Sequence, residues 1–178
     1  MSLILPGNVP VAAESFEALL KLGDPWIIRD DPRLRKEADY KPEALVIVTK
    51  DVCDRCLVWA SPKLRSYRTV WDQAAGLGFV DAASEWGYGV DIDHVFPKSW
   101  ANLRCVNLKY VRLFPVWQEV NRGAGGGIEK AEIEALKSGA MIIPRKHGIV
   151  FAKELQLLKI LGIKVGAVSN RFSMFARR

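Results

Sequence analysis

Apolar residues recur with helical spacing in several stretches of the chain. In the first stretch, Phe16, Leu19 and Leu20 share one helix face, and Gly23 follows as a stop signal. The same spacing returns three more times. It predicts helices over Val11–Leu22, Ser66–Leu77, Ile128–Lys137 and Phe151–Leu161.

Shorter apolar runs between these stretches have the composition of strands. The run over residues 44–49 is rich in β-branched residues and bounded by turn formers, which predicts a buried strand. Two further strands are predicted over Tyr88–His94 and Tyr110–Phe114, with a helix from about Val116 to a glycine-rich break at 123–127. The pattern therefore predicts one α+β domain over residues 1–178, with no internal repeat.

Composition and charge narrow the class of protein. Hydrophobic residues make up 49% and charged residues 26%, which is typical of a folded globular chain. The chain has no apolar run of the roughly 20 residues that span a bilayer, and its first residues lack signal-peptide features. We therefore expect a cytoplasmic protein without a membrane partner. The formal charge of +6 favours polyanionic partners.

Chemistry-bearing residues concentrate in one segment that includes Asp91, Asp93 and His94, and Asn121 follows one strand and one helix later. Phosphodiester hydrolysis requires a base for water and positive charge at the phosphate. His94 is suited to the role of base, and Asp93 with Asn121 supplies oxygen ligands suited to Mg²⁺. Neighbouring strand residues point to opposite faces, so Asp93 and His94 reach one phosphate only if the strand twists or ends at His94.

The order Asp-x-Asp-His-x-x-Pro-x-Ser, then a strand, a helix and Asn-Arg-Gly, resembles the core of the HNH or ββα-metal endonucleases. The resemblance covers about residues 88–125, which leaves an N-terminal extension of 1–87 and a helical C-terminal extension of 126–178. It implies an α+β fold with a strand hairpin packed on a helix, embedded in additional helices and a short strand. It further implies His94 as general base and Asp93 and Asn121 as ligands of one divalent cation, Mg²⁺ or another such as Mn²⁺.

One position departs from the family pattern. The family usually orients its base histidine with an asparagine on or near the second strand, whereas residues 110–114 contain none. Asn107 or Asn102 from the preceding loop, or Arg112 on the strand, are the candidates to replace it. Asp91 is expected to be a structural residue or one that supports the metal ligands.

Basic and aromatic residues near the motif are candidates for substrate contact. Arg122, Lys98 and Arg104 are suited to bind phosphate, although surface cations are most often simply solvated. Large aromatic residues most often belong to the core, and Trp100, in the loop after the histidine, is the one tryptophan that we single out for a test of stacking on an unpaired base.

The three cysteines leave two interpretations open. Cys53 and Cys56 have zinc-knuckle spacing, and together with Cys105 and His147 they could form a structural Zn²⁺ site. A second CxxC pair is absent, so we prefer the interpretation that these cysteines are ordinary thiols, because free cysteine packs like a small apolar residue.

The sequence thus predicts a metal-dependent endonuclease that acts on DNA. An RNase or an antibacterial nuclease toxin with an inhibitory immunity protein would use the same site, because phosphate chemistry takes little account of the bases. From a different class, a non-catalytic nucleic-acid-binding module would use the basic surface alone.

Overall fold

A computed structural model describes residues 9–23, 25–28, 46–50, 55–124 and 128–163. Within these ranges the chain forms strands, α-helices and one 3₁₀ helix. In chain order they are β1 Pro10–Ala13, α1 Phe16–Leu20, β2 Trp26–Ile28, β3 Val46–Lys50, β4 Cys56–Ala60, α2 Tyr67–Gly76, the 3₁₀ helix Ala83–Trp86, β5 Val90–His94, α3 Lys98–Ala101, β6 Tyr110–Trp117, α4 Gln118–Ala124, α5 Ile128–Lys137, β7 Ile149–Phe151 and α6 Glu154–Ile160. None of the described helices is long and apolar enough to cross a membrane.

The strands form one antiparallel sheet in the order β2, β3, β4, β6, β1, β7, with β5 also paired to β6. Leu113 pairs with Val58 of β4 and with His94 of β5. A residue has one neighbour on each side, so β4 lies along one edge of β6 and β5 along the other. The α+β class is confirmed, with elements from both ends of the chain completing the sheet.

Pro115 ends the pairing between β4 and β6. The carbonyl of Arg112 accepts from the Val95 amide on the β5 side, so alternation turns the backbone groups of Leu113 and Pro115 towards β4. Proline has no amide hydrogen to donate there. β4 pairs with β6 only up to Leu113, while β6 continues with β5 to Trp117. Beyond Leu113, the sheet therefore separates into two arms: one is formed by β2, β3 and β4, and the other by β5 and β6.

Two hydrophobic clusters enclose the end of β5. On one side, α2 packs Val70 and Ala74 against Ile92 and Leu113 of the sheet. On the other side, Val95 and Phe96, directly after the strand, belong to a cluster with α3, β1 and β7. His94 lies between these clusters, so its backbone position is fixed from both sides.

Several predicted elements are confirmed and others are wrong. Strand β3 and helices α2 and α5 lie where the apolar pattern predicts them, as does β5. The helix predicted over Val11–Leu22 is wrong at its start, since residues 11–13 belong to β1 and pair with both β6 and β7. The helix predicted from Phe151 begins at Glu154, because Phe151 ends β7.

The sheet is also larger than the sequence predicts. The predicted elements do not include β2 or β4, although β4 is a run of five apolar residues, and β6 continues beyond the predicted end at Phe114 to Trp117. The expected single short strand outside the hairpin is therefore wrong, because β1, β2, β3, β4 and β7 all lie outside it.

A buried hydrogen bond tests the packing of this sheet. The indole Nε1 of Trp59 donates to Oγ1 of Thr49 at 3.0 Å, and both residues are fully buried. Thr49→Val keeps the shape but leaves the indole donor unsatisfied, so we expect the free energy of unfolding to fall by about 1–3 kcal/mol in urea denaturation. In a Trp59→Phe background the same substitution should have a much smaller effect. Equal effects in both backgrounds would contradict the proposed pairing.

Candidate active site

Strands β5 and β6 and helix α4 form one strand, strand, helix unit. The register runs from His94 opposite Leu113 to Val90 opposite Trp117, and α4 begins at the next residue. Gln118, the first residue of α4, donates its backbone amide to Gly89 at 2.8 Å and its side-chain amide to Asp91 Oδ1 at 3.0 Å. Asp91 therefore ties the helix to the hairpin.

The strand alternates between the interior and a half-exposed face. Val90, Ile92 and His94 are buried, whereas Asp91 and Asp93 are only partly buried. The predicted end of the strand at His94 is confirmed, because the chain turns there and α3 begins at Lys98. Asp93 and His94 consequently lie at the last two positions of β5.

His94 is 3% exposed and lies beneath an aromatic ring. The ring of Tyr67, the first residue of α2, meets the imidazole edge-on with centroids 4.7 Å apart. His94 Nε2 is buried and has no hydrogen-bond partner among the described residues. Among the described residues, the imidazole therefore holds one ring nitrogen that no hydrogen bond occupies.

Asp93 forms an ion pair with Lys159 of α6. The ammonium lies 2.5 Å from Asp93 Oδ2 and 2.8 Å from the carbonyl oxygen of His94. The two side chains are only 19% and 11% exposed. Sequence reasoning missed Lys159, although one signal exists: it is the only basic residue of α6 and lies among the apolar residues Leu157, Leu158 and Ile160.

Electrostatics keep the Asp93 carboxyl ionised. Burial by itself raises its pKa, but interactions with His94 and Lys159 outweigh burial and hold the pKa well below its usual range. Nδ1 of His94 is 3.7 Å from Asp93 Oδ1, which is longer than a hydrogen bond. The closer contact with Lys159 is therefore the main source of stabilisation.

The carboxylates of Asp93 and Asp91 also affect the phenol of Tyr67. Burial raises the pKa of its phenol, and the negative charges of Asp93 and Asp91 raise it further. Lys98 lies on the other side, with Nζ 6.0 Å from the centre of the Tyr67 ring. The sequence pattern assigned Tyr67 only to the apolar face of α2, so its position over His94 was not predicted.

Asn121 lies on α4 one turn after Gln118 and is partly buried. Residues three apart share a helix face, so Asn121 continues the face from which Gln118 reaches Asp91. Helix α4 packs against α6, which carries Lys159. The structure thus brings the helix of Asn121 next to the helix that contacts Asp93, while the side chain of Arg122 lies outside the described residues.

The three candidates for orienting His94 have different environments. Asn102 is exposed at the end of α3 and donates its side-chain amide to the carbonyl of Pro62 at 3.4 Å. Asn107 is exposed in the loop before β6, with a left-handed φ of 47°. Arg112 is buried on β6 beside Leu113, the cross-strand partner of His94, and its guanidinium lies 5.4 Å from the centre of the Phe114 ring.

The remaining candidates are scattered. Lys98 and Arg104 are exposed on α3 and in the loop after it. The candidate role of Trp100 in stacking on bases is wrong, because its side chain is 2% exposed and packs edge-on against Phe96.

The cysteines also lie apart. Cys56 is on β4, whereas the exposed Cys105 donates its thiol to the carbonyl of Leu136 at 3.7 Å. Cys53 lies outside the described residues.

A divalent cation would depend on few protein ligands. Within the described ranges, no group of three or more His, Cys, Asp or Glu residues is arranged to hold a metal. The ionised Asp93 carboxylate and the Asn121 amide still fit Mg²⁺, which commonly keeps several waters and binds through one or two protein oxygens. Lys159 would share the carboxylate with any such ion.

Comparison of the chain with protein-family models, curated proteins and solved structures finds no match.

The ion pair makes a testable contribution to stability. Lys159→Met leaves a mostly buried carboxylate without its counter-charge, so we expect the free energy of unfolding to fall by about 2–4 kcal/mol at neutral pH without divalent metal. Lys137→Met is the matched control, because Lys137 pairs with Glu134 on the surface and its loss should change stability by less than about 0.5 kcal/mol. Equal effects of the two substitutions, by urea denaturation, would contradict this assignment.

Low pH should remove the stabilisation that the ion pair between Asp93 and Lys159 provides. The native pKa of Asp93 is lowered, so below the unfolded-state value of about 3.9 the unfolded chain takes up a proton that the native chain does not. Stabilisation is therefore complete above that value and declines as the pH falls towards the native pKa. The difference between wild type and Lys159→Met should narrow below about pH 4. A difference that stays constant down to pH 2.5 or so would exclude Asp93 as the titrating partner.

Proposed function

We propose that this chain is a metal-dependent endonuclease that hydrolyses phosphodiester bonds in DNA through an HNH-type, ββα-metal site. One observation supports it most: the Asp93-His94 strand end, its partner strand β6 and the helix bearing Asn121 form a strand, strand, helix unit, with α3 in the connection between the two strands. Gln118 closes that unit on Asp91. The net charge of +6 favours the polyanionic substrate.

His94 acts as the general base in this proposal. Its Nε2, which lacks a partner among the described residues, accepts the proton of the attacking water. Because the imidazole is buried beneath Tyr67, substrate binding has to displace that ring to admit the water. The buried backbone on both sides of His94 holds the base in place during this movement.

Asp93 and Asn121 hold the divalent cation, for which Mg²⁺ is the favoured ion. When bound, the ion supplies positive charge that stabilises the phosphorane and the departing oxyanion. With the ion bound, Lys159 would give up its contact with the Asp93 carboxylate, and its ammonium would be placed to neutralise phosphate charge beside the site. Lys98, Arg104 and Arg122 contribute to phosphate binding. An RNase or an antibacterial toxin would use the same residues.

A specific observation favours a second candidate. Asp93 is already neutralised by Lys159, and His94 is 3% exposed, as in a structural ion pair beside a core histidine. With that arrangement fixed, the chain is a non-catalytic nucleic-acid-binding module.

Replacing the base tests the catalytic proposal. His94→Ala should lower metal-dependent nicking of supercoiled plasmid by at least about 100-fold, because general-base catalysis contributes that much or more. His147→Ala is the matched control, since His147 is the other histidine of the chain and is exposed at a turn before β7. It should nick like wild type, and EDTA should stop both. Circular dichroism checks the fold of each variant.

Nicking by His94→Ala at the wild-type rate would exclude the assigned role. Salt-sensitive DNA binding with no cleavage in Mg²⁺, Mn²⁺, Ca²⁺ or Zn²⁺ would establish the second candidate instead. Cleavage of RNA in preference to DNA would retain the mechanism and change the substrate.

The proposed cation ligand on α4 has its own test. Asn121→Ala removes one of two protein ligands, so the Mg²⁺ concentration for half-maximal nicking should rise by about tenfold or more. Asn102→Ala is the control, because Asn102 is exposed at the end of α3 and donates to the carbonyl of Pro62. An unchanged Mg²⁺ dependence of Asn121→Ala would remove Asn121 from the site.

A further inference from the structure

A cavity of about 770 Å³ lies where the two arms of the sheet separate. One wall comes from β2, β3 and β4, the other from β6, and the segment after α2 with the 3₁₀ helix lies between them. Pro115 creates this space, because it ends the pairing of β4 with β6 at Leu113. We call it the fork cavity. Its volume is within the range of pockets that hold small organic ligands.

Aromatic rings occur on both walls of the fork cavity. Trp26 packs against Phe79 with centroids 5.5 Å apart, and Trp86 packs against Phe114 with centroids 6.0 Å apart. Trp26 and Trp86 nevertheless remain 40% and 41% exposed. Each ring is therefore supported by another ring behind it while part of its own surface stays accessible to a flat ligand.

Cations accompany these rings. Lys50 Nζ is 5.7 Å from the centre of the Trp26 ring, and the Arg112 guanidinium is 5.4 Å from that of Phe114. Arg55 also lines the cavity, whereas Asp81 is the single acidic residue among the described lining residues. Among the described lining residues, flat aromatic surfaces therefore lie beside three cations and one carboxylate, a combination that suits a flat, negatively charged ligand.

We propose that the fork cavity binds unpaired nucleotides of single-stranded nucleic acid, with bases stacked on Trp26 and Trp86 and the backbone attracted by Lys50, Arg55 and Arg112. This names the substrate class of the proposed nuclease and rests on that function for its link to cleavage. Phe114 is the cross-strand partner of Asp93, so the cavity wall and the proposed metal ligand share one face of the hairpin. In a duplex the bases stack on each other and cannot occupy such walls.

Binding without cleavage tests the proposal. In EDTA, fluorescence anisotropy should show that the wild-type chain binds a labelled oligothymidylate at least about fivefold more tightly than an abasic chain of equal length. Trp86→Ala and Trp26→Ala should each weaken oligothymidylate binding about tenfold and leave abasic binding unchanged, because only the stacking contribution is lost. A comparison of oligodeoxyuridylate with oligouridylate, which carry the same base, decides whether the sugar matters.

Trp117→Ala is the matched control. Trp117 is a 50% exposed tryptophan at the far end of β6 and does not line the fork cavity, so its variant should bind like wild type. Equal affinity for the oligothymidylate and the abasic chain, or equal losses in Trp86→Ala and Trp117→Ala, would overturn the proposal. Base-dependent binding without nicking in Mg²⁺ would reject the nuclease and keep the cavity, whereas nicking without base-dependent binding would do the reverse.

Discussion

Pro115 lacks an amide hydrogen at the position where β6 would otherwise continue its ladder with β4. Pairing on that side therefore stops at Leu113, and the remainder of β6 has a partner only in β5. This constraint produces both features on which function is proposed here. It leaves β5 and β6 as a hairpin that leads directly into α4, and it opens the fork cavity between that hairpin and the rest of the sheet.

The pairing of Asp93 with Lys159 determines how a cation could enter this hairpin. A mostly buried carboxylate requires a counter-charge, and α6 supplies one from a residue far along the chain. An arriving divalent ion has to compete with an ammonium that also donates to the carbonyl of His94. The same lysine compensates the charge of this mostly buried carboxylate within the fold. Occupancy of the site and stability of the fold are therefore linked through one carboxylate.

The sequence predicted the features that depend on local pattern. Alternation of buried and half-exposed residues identified β5, and helical spacing identified α2 and α5. It failed for β1, because residues 11–13 can continue the helical spacing of Phe16 and Leu19, and only pairing with β6 and β7 makes them a strand. Trp100 was misjudged for a related reason: the loop position predicted exposure, whereas packing on Phe96 buries the ring.

The sequence predicted some residues of the candidate site and missed others for the same reason. Asp93, His94 and Asn121 are close in sequence and were identified by their residue types and order. Lys159 and Tyr67 reach the site from helices distant in sequence, and no local period predicts which partner a helix will meet. The aromatic walls of the fork cavity likewise combine residues from β2 and the 3₁₀ helix, which become neighbours of one cavity only through the sheet.

The register of β5 and β6 places the wall of the fork cavity and the proposed metal ligand on the same face of the hairpin. Asp93 and Phe114 are directly opposed in an antiparallel pair, a geometry that sets their Cβ atoms about 5 Å apart on one face. A shift of β5 by one residue would exchange Asp93 for His94 on that face and separate the carboxylate from the aromatic wall. The buried positions of Ile92 and His94 oppose such a shift, because it would expose them and bury two carboxylates. The hydrophobic pattern of the strand therefore also fixes the distance between the aromatic wall of the cavity and the proposed metal ligand.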